Sequence, residues 1–290
     1  MNIGNAIFQG IVQGLTEFLP VSSSGHLSLV QYFTGQGGES GALFTIFLHM
    51  GTLLAVFFAF RKTITDMIVE VFAMLGDLVR GKFSVKNASP QRRMVLLLIV
   101  SLFPMLITVL LRKQFSALSA DNSILAEGLC FLLTSFLLFL SERCVKGHKT
   151  AKDMKYGDAL AVGLMQAIAP LPGLSRSGST ISAGTLVGLD RQFAVAFSFI
   201  MGIPAVLGAN VLEIKDVMEN GMDIPIPSLI VGMAAALIFG LLAIKMVNWL
   251  VASNKFKYFA WYTLVLGVLT TGAAIFEIIS NHALQQMFVR

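Results

Sequence analysis

Six stretches of this 290-residue chain, about 41 to 60, 94 to 111, 124 to 140, 192 to 211, 228 to 248 and 258 to 279, are apolar over lengths that cross roughly 30 Å of hydrocarbon as helix. With 56% apolar and 13% charged residues and a mean hydropathy of +0.78, the chain has the bilayer as its solvent. A backbone in lipid must satisfy its own hydrogen bonds, so the expected class is an all-α polytopic membrane protein. Cys130 and Cys144 have no ligand-like spacing, which argues against a disulfide framework or a zinc site. No Lys or Arg precedes Arg61, so a cleavable signal is not expected and the chain is read as mature from Met1.

Two further apolar stretches, 3 to 33 and 157 to 189, are interrupted in the middle by LPVSSSGH (19 to 26) and PLPGLSRSGST (170 to 180). No helix runs unbroken through such Pro, Gly and Ser clusters. Irregular backbone at membrane depth is tolerated where protein or a wet cavity satisfies it, so each stretch reads as a re-entrant hairpin. With six spans and two hairpins, sixteen Lys and Arg fall on one side and only Arg112, Lys113, Lys215 and Arg290 on the other. This asymmetry orients the chain with both termini outside, and it accounts for the net charge of +5 without nucleic acid as a partner.

Sliding the chain by 153 positions aligns Gly10 with Gly163, Gln13 with Gln166, Ser22 with Ser175, Ser24 with Ser177, Gly25 with Gly178 and Phe44 with Phe197. Three spans lie between the copies, which makes the repeat inverted. The expected organisation is a single membrane-embedded domain over 1–290. Repeat 1 covers about 1–111 with hairpin 3–33, and repeat 2 about 157–279 with hairpin 157–189. Inverted repeats with broken helices put a site at the repeat interface.

After each break the helix restarts with Ser, Thr and Gly: Ser22, Ser23, Ser24 and Gly25 in one copy, Ser175, Ser177, Gly178, Ser179 and Thr180 in the other. Free amides, hydroxyls and the positive helix end make an anion cradle, and two facing cradles suit a diphosphate. Either tip alone would be read as capping and packing. Arg176 tips the balance, because an Arg in an apolar segment requires a partner and its planar fork matches two phosphate oxygens. Gln13 and Glu17 share a helix face just before the first break, where an ionised carboxylate requires a nearby cation, either Arg176 or a divalent ion. His26 follows Ser23 by one turn, as a base or orienting group would. His49, Glu127 and Asn210 stand in spans outside any cluster and read as packed polar residues, His49 being the first candidate for an exception.

At these residues the chain resembles the undecaprenyl pyrophosphate phosphatase family, also called BacA or UppP. The resemblance rests on Gln13 to Glu17, PVSSSGH at 20 to 26 and PGLSRSGST at 172 to 180, and extends to AFSFIMGIP at 196 to 204. It implies six spans with two re-entrant hairpins in an inverted repeat. It also implies release of the terminal phosphate of undecaprenyl diphosphate, recycling the carrier lipid for peptidoglycan, with bacitracin resistance as a consequence. Carried over by position, Glu17, Ser23, His26 and Arg176 are catalytic, and Ser22, Ser175, Ser177 and Thr180 support phosphate, with Ser24, Gly25 and Gly178 in the same cradles. Magnesium or calcium is the implied cofactor, with Glu17 as its ligand. Many members have Glu where this chain has Gln13, so a metal scheme that needs two carboxylates does not transfer.

The expected partners are the lipid diphosphate and the bilayer of a bacterial inner membrane, with the site facing the periplasm and a homodimer allowed. The lipid phosphate phosphatase superfamily shares a box like SSSGH but needs further Lys-rich and His/Asp boxes that this chain lacks. A flippase for the lipid monophosphate is the rival from another class, since the architecture suits carriers. On the residues alone, the nucleophile is Ser23, His26 or a water, with Ser23 or a water expected to attack.

Overall fold

The computed structural model describes residues 2–34, 39–85, 88–111, 113–115, 123–144, 147–220, 225–252 and 255–280, with backbone alone at 39–43, 212–220 and 252. Lys86, Arg112, Lys146 and Arg290 of the charge asymmetry lie outside the described residues. Among those described, regular structure is helical throughout, in the order α1 (Ile3–Phe18), α2 (Ser23–Thr34), α3 (Glu39–Ala59), α4 (Arg61–Val79), α5 (Pro90–Leu102), α6 (Met105–Leu110), α7 (Leu125–Glu142), α8 (Tyr156–Ile168), α9 (Arg176–Leu186), α10 (Arg191–Asn220), α11 (Ile226–Ala252) and α12 (Lys257–Ser280).

Each of the six apolar stretches forms helix: α3, the pair α5 and α6, α7, α10, α11 and α12. Five of these are long and apolar enough to cross a membrane, and a sixth is reached if α3 and α4, bent by 85° against each other, count as one span. The 94 to 111 stretch is divided at Phe103 and Pro104, where the proline withholds an amide from the ladder. The chain between the first two expected spans, unassigned by hydropathy, forms α4.

Both interrupted stretches break where their Pro and Gly clusters sit. α1 is capped by Asn2, whose side chain accepts from the Asn5 amide at 2.8 Å, and it stops ahead of Pro20. α8 likewise ends ahead of Pro170, and α9 restarts at Arg176.

Packing is closest where glycines allow it. α1 and α3 both lie along α11, and α7 lies along α12. A methyl on Gly14 would meet the Ala236 carbonyl and the Gly240 amide, so α1 and α11 touch backbone to backbone. Beneath the α1 break, Phe18, Phe199, Ile181, Leu138, Val247 and Phe259 form one buried cluster, with the Phe18 and Phe199 rings edge to face at 5.2 Å. This plug fixes the end of α1, and so the residue before it, Glu17.

Candidate active site

The two breaks share one hydrogen-bond pattern, 153 positions apart. Ser22 Oγ accepts from the Gly25 amide at 3.2 Å, as Ser175 Oγ does from Gly178 at 3.0 Å. The Ser22 and Ser175 carbonyls accept from the amides four residues on, at 3.2 and 2.8 Å. Ser22 and Ser24 hydroxyls lie 3.2 Å apart, and those of Ser175 and Ser177 3.3 Å apart. Ser22 takes φ of +73°, a left-handed conformation unusual for a residue with a Cβ, and this turns the chain into α2.

The breaks also face each other. Ser177 Oγ donates to the Leu19 carbonyl at 3.1 Å, and a methyl on Gly178 would lie 3.3 Å from Pro20 Cβ. Gly25 similarly lies against Gly173, whose φ of +86° carries the turn before α9.

Glu17 sits at this junction, buried. Its Oε1 accepts from Arg176 Nη2 at 2.6 Å, while Oε2 accepts from Ser23 Oγ at 2.7 Å and from Gln13 Nε2 at 2.9 Å. His49 Nε2, from α3, stands 3.8 Å from the same Oε2. Arg176 also donates to the Ser198 carbonyl at 3.3 Å. The carboxylate and guanidinium meet across 159 residues of sequence. Each compensates the other in a low-dielectric site, where an uncompensated partner costs about 3 to 5 kcal/mol.

The expected site residues divide by exposure. Ser22, Ser175, Ser177, Gly178 and Thr180 are buried and bonded into the protein; Thr180 Oγ1 donates to the Arg176 carbonyl at 2.7 Å and lies 2.6 Å from Ser198 Oγ. They build the helix starts. Ser24 is exposed, and Ser23, His26 and Arg176 are partly so. The Ser23 and Ser24 amides precede the first intrahelical bond of α2, which leaves them free of the ladder and available to an anion.

His26 is oriented away from its expected partner. Nδ1 donates to the Ser22 carbonyl at 2.7 Å, so in the neutral ring Nε2 is the acceptor, and it takes the Tyr262 hydroxyl at 2.7 Å. The two rings stack at 5.8 Å. Ser23 instead donates to Glu17, and the proton acceptor beside the candidate nucleophile is therefore a carboxylate. Glu127 accepts from Ser28 at 2.6 Å, and Asn210 is buried in α10; both stand outside the Glu17 group.

A cleft opens beside Glu17 and Arg176, walled by Thr52, Leu53 and Val56 of α3 and by Gly202, Ile203 and Val206 of α10. Gly202 gives the guanidinium its room, since a methyl there would run into Arg176 Nη1 and Cζ. Gly202→Ala is expected to displace the fork and cut turnover on the order of ten- to a hundredfold with little change in thermal stability. Steady-state phosphate release and a melting curve in detergent check this, and unchanged turnover would detach Arg176 placement from Gly202. Gly202 lay within the 196 to 204 segment of the resemblance but without a role, and nothing marked Tyr262, because a glycine or tyrosine in a span carries no local sign of what it touches. For His49 the signal was present: a lone His in an apolar helix.

Comparison with known proteins gives a family match and many relatives. The model of the bacitracin resistance protein BacA family matches residues 6–269. An undecaprenyl-diphosphatase of Alkaliphilus metalliredigens is 41% identical over 268 residues, covering 92% of this chain and 97% of its own. Undecaprenyl-diphosphatases of Methanobrevibacter smithii (41%, covering 93% and 96%) and Treponema denticola (38%, covering 92% and 96%) are similar over the same extent.

Proposed function

Because the chain belongs to the bacitracin resistance protein BacA family, we propose that the Glu17 junction is where it hydrolyses undecaprenyl diphosphate to undecaprenyl phosphate. The chain is an undecaprenyl-diphosphatase, a hydrolase of a phosphorus anhydride. The observation that carries the site is the convergence of Ser23 and Arg176 on one buried carboxylate. Purified protein in detergent should release inorganic phosphate from undecaprenyl diphosphate. A flippase would release none.

In the reaction, the diphosphate lies on the Ser23 and Ser24 amides with the Arg176 fork on its oxygens. Ser23 Oγ attacks the terminal phosphorus, its proton passes to Glu17, and the bond to the bridging oxygen breaks to release undecaprenyl phosphate. Water then cleaves the phosphoserine, phosphate leaves, and Glu17 returns the proton to Ser23. The leaving phosphate needs little protonation, so catalysis rests on positioning and on charge neutralised by Arg176. His49 stands beside Glu17 as the group through which its proton exchanges, and His26 holds the α2 start through the Ser22 carbonyl.

Among the described residues no three His, Cys, Asp or Glu side chains come together to hold a metal ion, so the protein alone does not form a magnesium or calcium site here. Gln13 turns its Nε2, not its carbonyl, to Glu17 at 2.9 Å, and the Glu17 oxygens already accept from Arg176 and Ser23, so Glu17 would offer an ion one carboxylate and substrate phosphates would offer the rest. An ion brought in with the substrate would have Glu17 as its protein ligand and would supply further neutralisation of the diphosphate.

Six spans with two re-entrant hairpins in an inverted repeat remain the best reading of the architecture. The matching caps support it, as does the exchange of partners between halves: α1 packs on α11 of the second repeat and α8 on α5 of the first. The family and the charge asymmetry favour a bacterial inner membrane with the first hairpin entering from the periplasm, in service of cell-wall lipid recycling and bacitracin resistance. In cells, single-Cys probes on a cysteine-free background should label from outside at Gly37, which lies outside the described residues, and from inside at Ser84 and Thr150. Outside labelling at Thr150 would sink the inverted arrangement.

A further inference from the structure

α4 leaves α3 at 85° immediately after Phe60. α3 runs along α11, a candidate span, so α4 lies close to the membrane plane, where its 19 residues reach about 28 Å. At 100° per residue Ile68, Phe72, Leu75 and Val79 fall on one side, and all are exposed, Phe72 by 70% and Val79 by 88%. Asp66, Glu70 and Asp77 fall on the other.

Two of those acids share one arginine. Arg92, at the start of α5, donates through Nε to Glu70 and through Nη2 to Asp77, each at 2.6 Å. Arg61 and Lys62 at one end of α4, and Arg80 and Lys82 just past the other, are exposed, with Asp66 the remaining acid of the helix. The result is an apolar stripe with a basic pair at each end. The neighbouring 147–155 segment, tied to α5 by Arg93 donating to the Ala151 and Met154 carbonyls at 2.8 and 2.7 Å, adds exposed Lys152 and Lys155, while Lys149 is taken up by Asp158 at 3.0 Å.

We propose that α4 is an interfacial helix that docks on anionic phospholipid, its apolar stripe sunk into the acyl boundary and its basic ends on headgroup phosphates. Both parts of the surface are needed for this occupant: the stripe supplies area, and the charges at the ends choose lipids of negative headgroup. A second copy of the chain would be held by the stripe but repelled by the ends. The docked helix also braces α3, which carries His49 and Thr52 to the active site.

The test uses full-length protein in nanodiscs of phosphatidylcholine alone or mixed with phosphatidylglycerol. In a Cys130→Ala, Cys144→Ala background, an environment-sensitive fluorophore is attached at Phe72→Cys or at Asp66→Cys. Brominated lipid should quench the first strongly and the second weakly, and aqueous iodide the reverse. Native mass spectrometry of released protein should show phosphatidylglycerol retained over phosphatidylcholine. Lys62→Gln, Arg80→Gln and Lys82→Gln should each lower that preference on the order of fivefold. Equal iodide quenching at both positions would overturn the interfacial placement. A preference unchanged in the charge variants would overturn the headgroup assignment, and dimer cross-linking through position 72 would assign the face to a second copy.

Discussion

Arg176→Lys is expected to lower turnover on the order of a hundredfold while the protein still inserts and melts near the wild-type temperature. The guanidinium makes two directed contacts, to Glu17 Oε1 at 2.6 Å and to the Ser198 carbonyl at 3.3 Å, and its plane is set by them. A lysine keeps the charge and can still pair with Glu17, so the buried carboxylate is not stranded and the fold survives. What it loses is the fork that grips two oxygens while charge develops on the phosphoryl group. Steady-state phosphate release with undecaprenyl diphosphate, read beside a melting curve, separates the two effects. Near wild-type turnover would make Arg176 a structural counter-ion only.

Ser23→Ala is expected to have the larger effect, a loss on the order of a thousandfold, with diphosphate binding nearly intact. Ser23 Oγ donates to Glu17 at 2.7 Å, and Glu17 is held in turn by Arg176 and Gln13, so nucleophile, base and orienting groups form one chain. Rapid quenching in acid should trap phosphate on Ser23. Substantial turnover in Ser23→Ala, or phosphate on another residue, would hand the attack to a water activated by Glu17. The same geometry ranks two further variants. Glu17→Gln should approach the Ser23→Ala loss, whereas His26→Ala should lose less, because its ring nitrogens hold Ser22 and Tyr262 rather than the reacting serine.

The parts of this site that were legible in the sequence share a physical reason. A Pro or Gly cluster in an apolar run must break the helix, so both breaks were readable to within a residue or two. A buried Arg must find a carboxylate or phosphate, so Arg176 was readable as one of two cations that could meet Glu17, a divalent ion being the other. The orientation of His26 was not readable. One-turn spacing puts Ser23 and His26 on a common face, but the left-handed Ser22 rotates the start of α2 and offers its carbonyl to the ring. α4 escaped because hydropathy averages around a helix. Its apolar stripe and acidic face cancel in a window, and only the 3.6-residue period separates them. The contacts of Gly202 and Tyr262 depend on long-range packing, so their roles could not be read from local sequence, even though Gly202 lies in the 196 to 204 segment of the resemblance.

The 159 residues between Glu17 and Arg176 have a consequence for how the protein is made. At roughly 5 to 20 residues per second, a ribosome takes on the order of 8 to 30 s to reach the arginine after it has released the glutamate. Throughout that interval the first hairpin holds an acid at membrane depth with no guanidinium to meet it. It must wait protonated, or remain near the translocon in contact with water, until the second half of the chain arrives. The nascent protein is thus assembled as two half-sites separated in time, and docking of the later half both completes the catalyst and neutralises the earlier one.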